Sequence, residues 1–127
     1  MNGETFVVDM QHHFIPAEAL KLVGKTEEHD FTYGLKRFKK EYAQMVDVQE
    51  HLNWMDDSGI DMAILSTSSF IPNGQDFCRA CNDGYAEVTK SHPDRFKGMI
   101  HVSPFANEAQ NRDEIKRTID TYKTLNS

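Results

Sequence analysis

The sequence predicts an α/β fold, on three observations: short apolar runs alternate with longer amphipathic stretches, each short run is followed by a pattern of helical length, and no repeat of fixed period or low-complexity tract interrupts the alternation. The first run, Thr5 to His13, is β-branched and aromatic at its start and polar at its end, which reads as a strand closed by Pro16. Residues 17–46 form a long excursion: Ala17 to Val23 fit a short helix, Gly24 and Gly34 break the pattern, and Lys36 to Lys40 make a small basic cluster. An excursion of this length is either functional or a solvated insertion. Asp47 then reads as an N-cap with Glu50 three residues on, and Val48, Leu52 and Met55 recur at helical spacing until Ser58-Gly59 stops the helix. Ile60 to Leu65 is a second strand that ends in the hydroxyl cluster Ser66-Thr67-Ser68-Ser69. After the turn residues Pro72-Asn73-Gly74, Phe77, Cys81, Tyr85 and Val88 mark one face of a helix over 76–91, ended by Pro93. Phe96 to Val102 is a third strand, and residues 107–125 a third long helix with Ile115, Ile119 and Tyr122 on one side.

Strands each followed by a helix require parallel neighbours joined by right-handed crossovers. An open doubly wound sheet and a closed barrel both satisfy this, and both bind ligands at the C-terminal ends of their strands. Chemistry is therefore expected at His13, Ser66 to Ser69 and His101 to Ser103. Three strands are too few for a closed barrel, which takes eight strands and about 250 residues, so the chain reads as a partial structure.

Composition narrows the function. With 127 residues, 39% hydrophobic and 27% charged, one folded domain is expected. The net charge of −6, from 14 basic and 20 acidic residues, comes without any basic stripe, so a nucleic-acid partner is not expected. No apolar run approaches the ~18 residues of a membrane span and no export signal is visible, which makes the cytoplasm the expected compartment and no membrane the expectation. Cys78 and Cys81 are then expected as reduced thiols inside an amphipathic helix, not as a redox motif at a helix N-terminus.

The densest chemistry lies at the end of the first strand. Strict alternation puts Phe6, Val8, Met10, His12 and Phe14 on one face, to pack under helices, and Val7, Asp9, Gln11 and His13 on the other. Two donors at i and i+2 on a strand can address one metal ion, so Gln11 and His13 are the candidate metal ligands. A carboxamide oxygen is a weaker zinc ligand than an imidazole; the pair is either a degraded site, one tuned to a harder ion, or no metal site. Ser66 and Ser68 are candidates for binding a substrate carboxylate, and His101 is a third substrate-binding candidate if it faces the pocket. His29, His51 and His92 lie in loop or helix-surface settings without an expected role, and Asp56-Asp57 sit at a helix end where solvation accounts for them.

Three ordered passages resemble one family. Asp9-Met10-Gln11-His12-His13-Phe14-Ile15-Pro16 is similar to the opening Asp-x-His-x-His-apolar-apolar-Pro strand of the amidohydrolase superfamily, in the branch related to aminocarboxymuconate semialdehyde decarboxylase. Met55-Asp56-Asp57-Ser58-Gly59-Ile60-Asp61 resembles that branch's Met-Asp-x-x-Gly-Ile-Asp passage before strand two. Asn82-Asp83 with His92-Pro93-Asp94-Arg95-Phe96 resembles its passage into strand three. The resemblance implies a TIM barrel, of which this chain would be a single N-terminal segment of about three βα units, with residues 17–46 as a loop after strand one. It also implies a divalent metal, usually zinc, and decarboxylase or hydrolase chemistry on a small carboxylated substrate. Gln11 takes the first histidine position and His13 the second; the later ligands and acid–base residues have no counterpart before residue 127. The chain alone is then expected to be inactive, and exposed barrel edges favour self-association into a homo-oligomer. The competing expectation is a small non-catalytic α/β binding module derived from the same fold.

Overall fold

The computed structural model describes residues 5–23, 44–67 and 74–125. Strand β1 (Val8–His13) leads into helix α1 (Ala17–Val23), followed by α2 (Val48–Ser58), β2 (Met62–Ser66), α3 (Gln75–Ser91), β3 (Phe96–Gly98) and α4 (Glu108–Leu125). The three strands form one parallel sheet in the order β1-β2-β3, so the predicted α/β class and the parallel pairing both hold. Residues 24–43 of the long excursion, including Lys36 to Lys40, and Ser68 to Asn73 lie outside the described residues.

Register decides which side chains reach which face. Asp9 pairs with Ala63, and Ala63 with Phe96; His12 pairs with Leu65, and Leu65 with Gly98. That face is covered: Ala63, Leu65 and Phe96 pack in one core with Leu52 and Met55 of α2 and Phe77, Cys81 and Tyr85 of α3. Val8 and Met62, then His13 and Ser66, and Ile64 with Lys97 occupy the opposite, open face. Three residues of β1 span the step from Asp9 to His12 where two of β2 suffice, so a β-bulge breaks the alternation. This corrects the expected division of β1. Asp9 shares the covered face with His12, while Phe6, Val8 and Met10 are exposed instead of packing under helices.

Helix α2 begins as predicted, with Asp47 Oδ1 accepting from the backbone N–H of Gln49 and Glu50. It ends at Gly59, whose φ of 71° is the left-handed geometry that a side chain resists. The chain beyond is fixed by Arg95, which donates to the carbonyls of Asp61 (2.8 Å) and Ile60 (3.1 Å) and pairs with Asp56 (2.8 Å). Asp56 is thus an ion-pair partner as well as a solvated residue. Asp61 in turn accepts from Val7 N–H at 2.7 Å, tying β1 to the start of β2.

Helix α3 is the central packing element. Its Gly84 lies against Pro16, where an added methyl would overlap the proline ring, and Tyr85 donates to the buried Phe14 carbonyl at 2.8 Å. Helix α4 buries a different face from the one expected: Glu114 and Thr118 are inside, whereas Ile115 and Ile119 are 40% and 41% exposed. The cause is polar. Arg117 bridges Glu114 and Asp83 of α3, and this network holds the Glu114 face of α4 against α3. The third strand also ends earlier than Val102. Met99 N–H still donates to Leu65, but the N–H groups of His101 and Ser103 are held by side chains. No helix among the described residues is long and apolar enough to cross a membrane.

Candidate functional site

The C-terminal end of β1 opens on a cavity of about 370 Å³ whose lining includes Gln11, His12, His13, Glu50, His51 and Trp54. Gln11 and His13 are both exposed on either side of buried His12. His12 is not merely packed. Its Nδ1 lies 2.9 Å from Asp9 Oδ2 and its Nε2 lies 2.6 Å from His51 Nδ1, while His51 Nε2 lies 3.2 Å from the Met45 carbonyl. Both ends of this chain of contacts are acceptors. The contacts therefore run from carboxylate through two imidazoles to a backbone carbonyl, and the N–H protons lie on the ring nitrogens between those acceptors. The hydrogen bond from His12 holds the Asp9 carboxyl below the usual carboxylate range, against the opposing effect of burial. Burial, followed by the neighbouring His12, pulls the His51 imidazole below its ordinary value.

Asp9 also accepts from Gln11 N–H at 3.1 Å, so one carboxylate supports both the bulge and the imidazole chain. Neither Asp9 nor His51 stands out in the sequence as a site residue. The bulge brings Asp9 round to His12, and strict alternation does not anticipate a bulge. His51 did carry a signal, because it follows Val48 by three residues on the buried side of α2.

At the next strand ends, Ser66 stands opposite His13 in the ladder and its carbonyl accepts from Phe14 N–H at 3.0 Å. Ser68 lies outside the described residues. His101 is partly buried, with its ring centroid 5.5 Å from that of Tyr85. Nδ1 lies 3.1 Å from the Met99 carbonyl, and Nε2 accepts from Thr67 N–H at 3.3 Å, which selects the neutral tautomer with the proton on Nδ1. Burial lowers its pKa. A larger cavity, about 580 Å³, lies between α1 and α3, and no histidine lines it. Cys78 and Cys81 are free and buried, and burial pushes both thiols up, away from redox reactivity.

A neutral carboxamide and one imidazole from a single strand do not by themselves define a metal's geometry. Among the described residues, no group of three or more histidine, cysteine, aspartate or glutamate side chains is placed to hold a metal ion.

The fold is shared with part of the TIM-barrel decarboxylases and amidohydrolases. The chain aligns over 94% of its length with 36% of 2,6-dihydroxybenzoate decarboxylase from Rhizobium, at 24% identity and a TM-score of 0.68. It aligns over 93% of its length with 40% of 5-carboxyvanillate decarboxylase from Novosphingobium aromaticivorans, a structure with bound manganese and 3-methoxy-4-hydroxy-5-nitrobenzoic acid, at 22% identity and a TM-score of 0.70. A putative amidohydrolase from Staphylococcus aureus matches over 94% of the chain and 35% of its own, at 18% identity and a TM-score of 0.62. The chain therefore spans between one third and two fifths of these structures and is a partial TIM barrel. No protein-family model matches the sequence, and no curated protein does.

Proposed function

We propose that the complete protein is a metal-dependent decarboxylase or hydrolase of a small carboxylated aromatic substrate, acting in the cytoplasm, and that residues 1–127 form its N-terminal segment. One observation carries the reading: a fold likeness over nine-tenths of the chain to decarboxylases crystallised with manganese and aromatic ligands, with Gln11 and His13 at the strand end where such barrels bind ligands. Gln11 Oε1 and His13 would hold a divalent metal from the β1 side. The metal supplies Lewis-acid polarisation of a substrate oxygen. The weaker carboxamide donor suits a hard ion such as manganese better than zinc. Ser66 and Ser68 offer hydroxyl donors to the substrate carboxylate, and His101, held beside Thr67 at the exit of β2, completes the substrate-binding set at these strand ends. Further ligands and the acid–base group come from βα units that this chain does not contain.

Calorimetric titration of the 127-residue chain with Mn²⁺ and with Zn²⁺ tests the β1 pair. The expected result is weak binding that His13→Ala abolishes and Gln11→His strengthens by about tenfold or more, as a stronger donor enters the same position. No carbon dioxide release from 2,6-dihydroxybenzoate is expected from this chain alone. Affinity indifferent to both substitutions removes Gln11 and His13 as ligands, and turnover by the isolated chain removes the need for further units.

A further inference from the structure

Beyond Gly98, His101 lies past the last strand pairing, yet both of its backbone polar groups are satisfied. Its N–H donates to Asn82 Oδ1 at 2.7 Å and its carbonyl accepts from Asn82 Nδ2 at 2.9 Å. One side-chain amide thus meets the donor and the acceptor of a single residue, as an adjacent strand does in a sheet. Asn82 is 1% exposed, so water does not compete for these bonds. Nδ2 also donates to Glu114 Oε1 at 3.0 Å. An ionised carboxylate only accepts, so Glu114 dictates which way the amide points: NH₂ towards Glu114 and oxygen towards the His101 N–H.

Glu114 is itself anchored. It is 4% exposed and accepts from Arg117 at 2.7 and 2.8 Å and from Thr118 Oγ1 at 3.2 Å. Burial opposes its charge, but the hydrogen bonds from Arg117 and Asn82 outweigh burial and keep the carboxyl ionised below its usual range. Arg117 reaches back to Asp83, the neighbour of Asn82, at 2.8 Å, which closes the network between α3 and α4.

We infer that Asn82 is a positioning residue for His101, its amide direction fixed by Glu114 and Arg117, so that the imidazole Nε2 is delivered to the Thr67 N–H at the exit of β2. The inference deepens the proposed function and rests on it only for the role of His101 towards substrate. With its backbone held on both polar groups, His101 has one ring placement in which Nδ1–H meets the Met99 carbonyl and Nε2 meets Thr67. Without Asn82 the backbone is released, and neither ring nitrogen keeps a fixed partner.

If Asn82 only joined two helices, its loss would lower stability but leave the His101 ring unchanged in molecules that stay folded. Nitrogen-15 NMR of the 127-residue chain at neutral pH separates the two. The unsubstituted chain is expected to show His101 as the single Nδ1–H tautomer. Asn82→Ala is expected to average the two tautomers and to lower protection of the His101 amide against hydrogen exchange by about tenfold, the equivalent of one lost hydrogen bond. Glu114→Gln, whose amide can donate as well as accept, is expected to show a smaller loss at the same two positions and decides the matter if Asn82→Ala fails to fold. An unchanged tautomer and unchanged amide protection in either folded variant overturns the inference. Tautomer averaging in Asn82→Ala with metal binding at Gln11 and His13 intact leaves the proposed function standing; loss of metal binding with an intact clamp has the reverse meaning.

Discussion

The two ends of the sheet solve opposite problems. At the N-terminal end, Arg95 covers the Ile60 and Asp61 carbonyls, Asp61 meets Val7 N–H and Gly59 turns the chain, so each polar group serves the backbone. Towards the C-terminal end, His12 bonds to His51 on one side and to Asp9, brought round by the bulge, on the other, beside a cavity, with Gln11 and His13 exposed around them. The first arrangement is closed and the second keeps side chains available. Two of the resembling passages, Met55 to Asp61 and His92 to Phe96, build the closed end, while Asp9 to Pro16, with Gln11 as its departure, and Asn82-Asp83 reach the open one.

The largest effect is expected where packing, not polarity, holds the layers together. A methyl group on Gly98 would lie 2.7 Å from Tyr85 Cβ and overlap the Tyr122 hydroxyl, and Tyr85 Cβ moves only with α3 itself. Gly98→Ala is expected to cost about 3 kcal/mol through overpacking, read from the urea midpoint at constant m-value. Arg95→Met comes next, at about 2 kcal/mol, because two carbonyls lose a charged donor. The Asp56 pair contributes little of this, since Asp56 is 63% exposed. The contrast between the ends predicts that Arg95→Met leaves the NMR signals of His12, His51 and His101 in place. If those signals move, the two ends are not independent. Tyr85→Phe follows at about 1 kcal/mol, as the buried Phe14 carbonyl loses its hydroxyl donor.

How far the sequence disclosed this molecule follows the same division. The parallel α/β order, the Asp47 cap and the Gly59 stop were legible because local propensity and cap chemistry act within a few residues. The face of α4 was not, because Glu114 is drawn inward by Asn82 and Arg117, and periodicity counts apolar residues without regard to partners for polar ones. The exposure of Gln11 and His13 was legible from the polar close of the first run. The imidazole chain was not, since it requires a bulge in β1 and the first turn of α2 to meet across 39 residues.

The smallest effect is one of pH, and it belongs to the open end. Burial holds the folded His101 imidazole below its ordinary value near 6.5, so the unfolded chain takes up that proton first as pH falls. The contribution of neutral His101 is therefore complete above about 6.5 and is lost as pH falls from there through the folded pKa. Glu114 adds a second window lower down: its folded pKa lies below the usual 4.5, so its contribution is complete above that value and is lost as pH falls beneath it. The Arg95 clamp on backbone carbonyls has no proton to lose over this range. Urea midpoints measured from pH 7.5 to pH 5 should fall gently in the parent chain and more gently in His101→Gln, with His51, also held down by burial, supplying the remaining slope. An Arg95→Met chain should run parallel to the parent at a lower midpoint throughout. A changed slope in Arg95→Met would mean that proton uptake at the open end is felt at the closed one, and the sheet would then have to be treated as a single electrostatic unit.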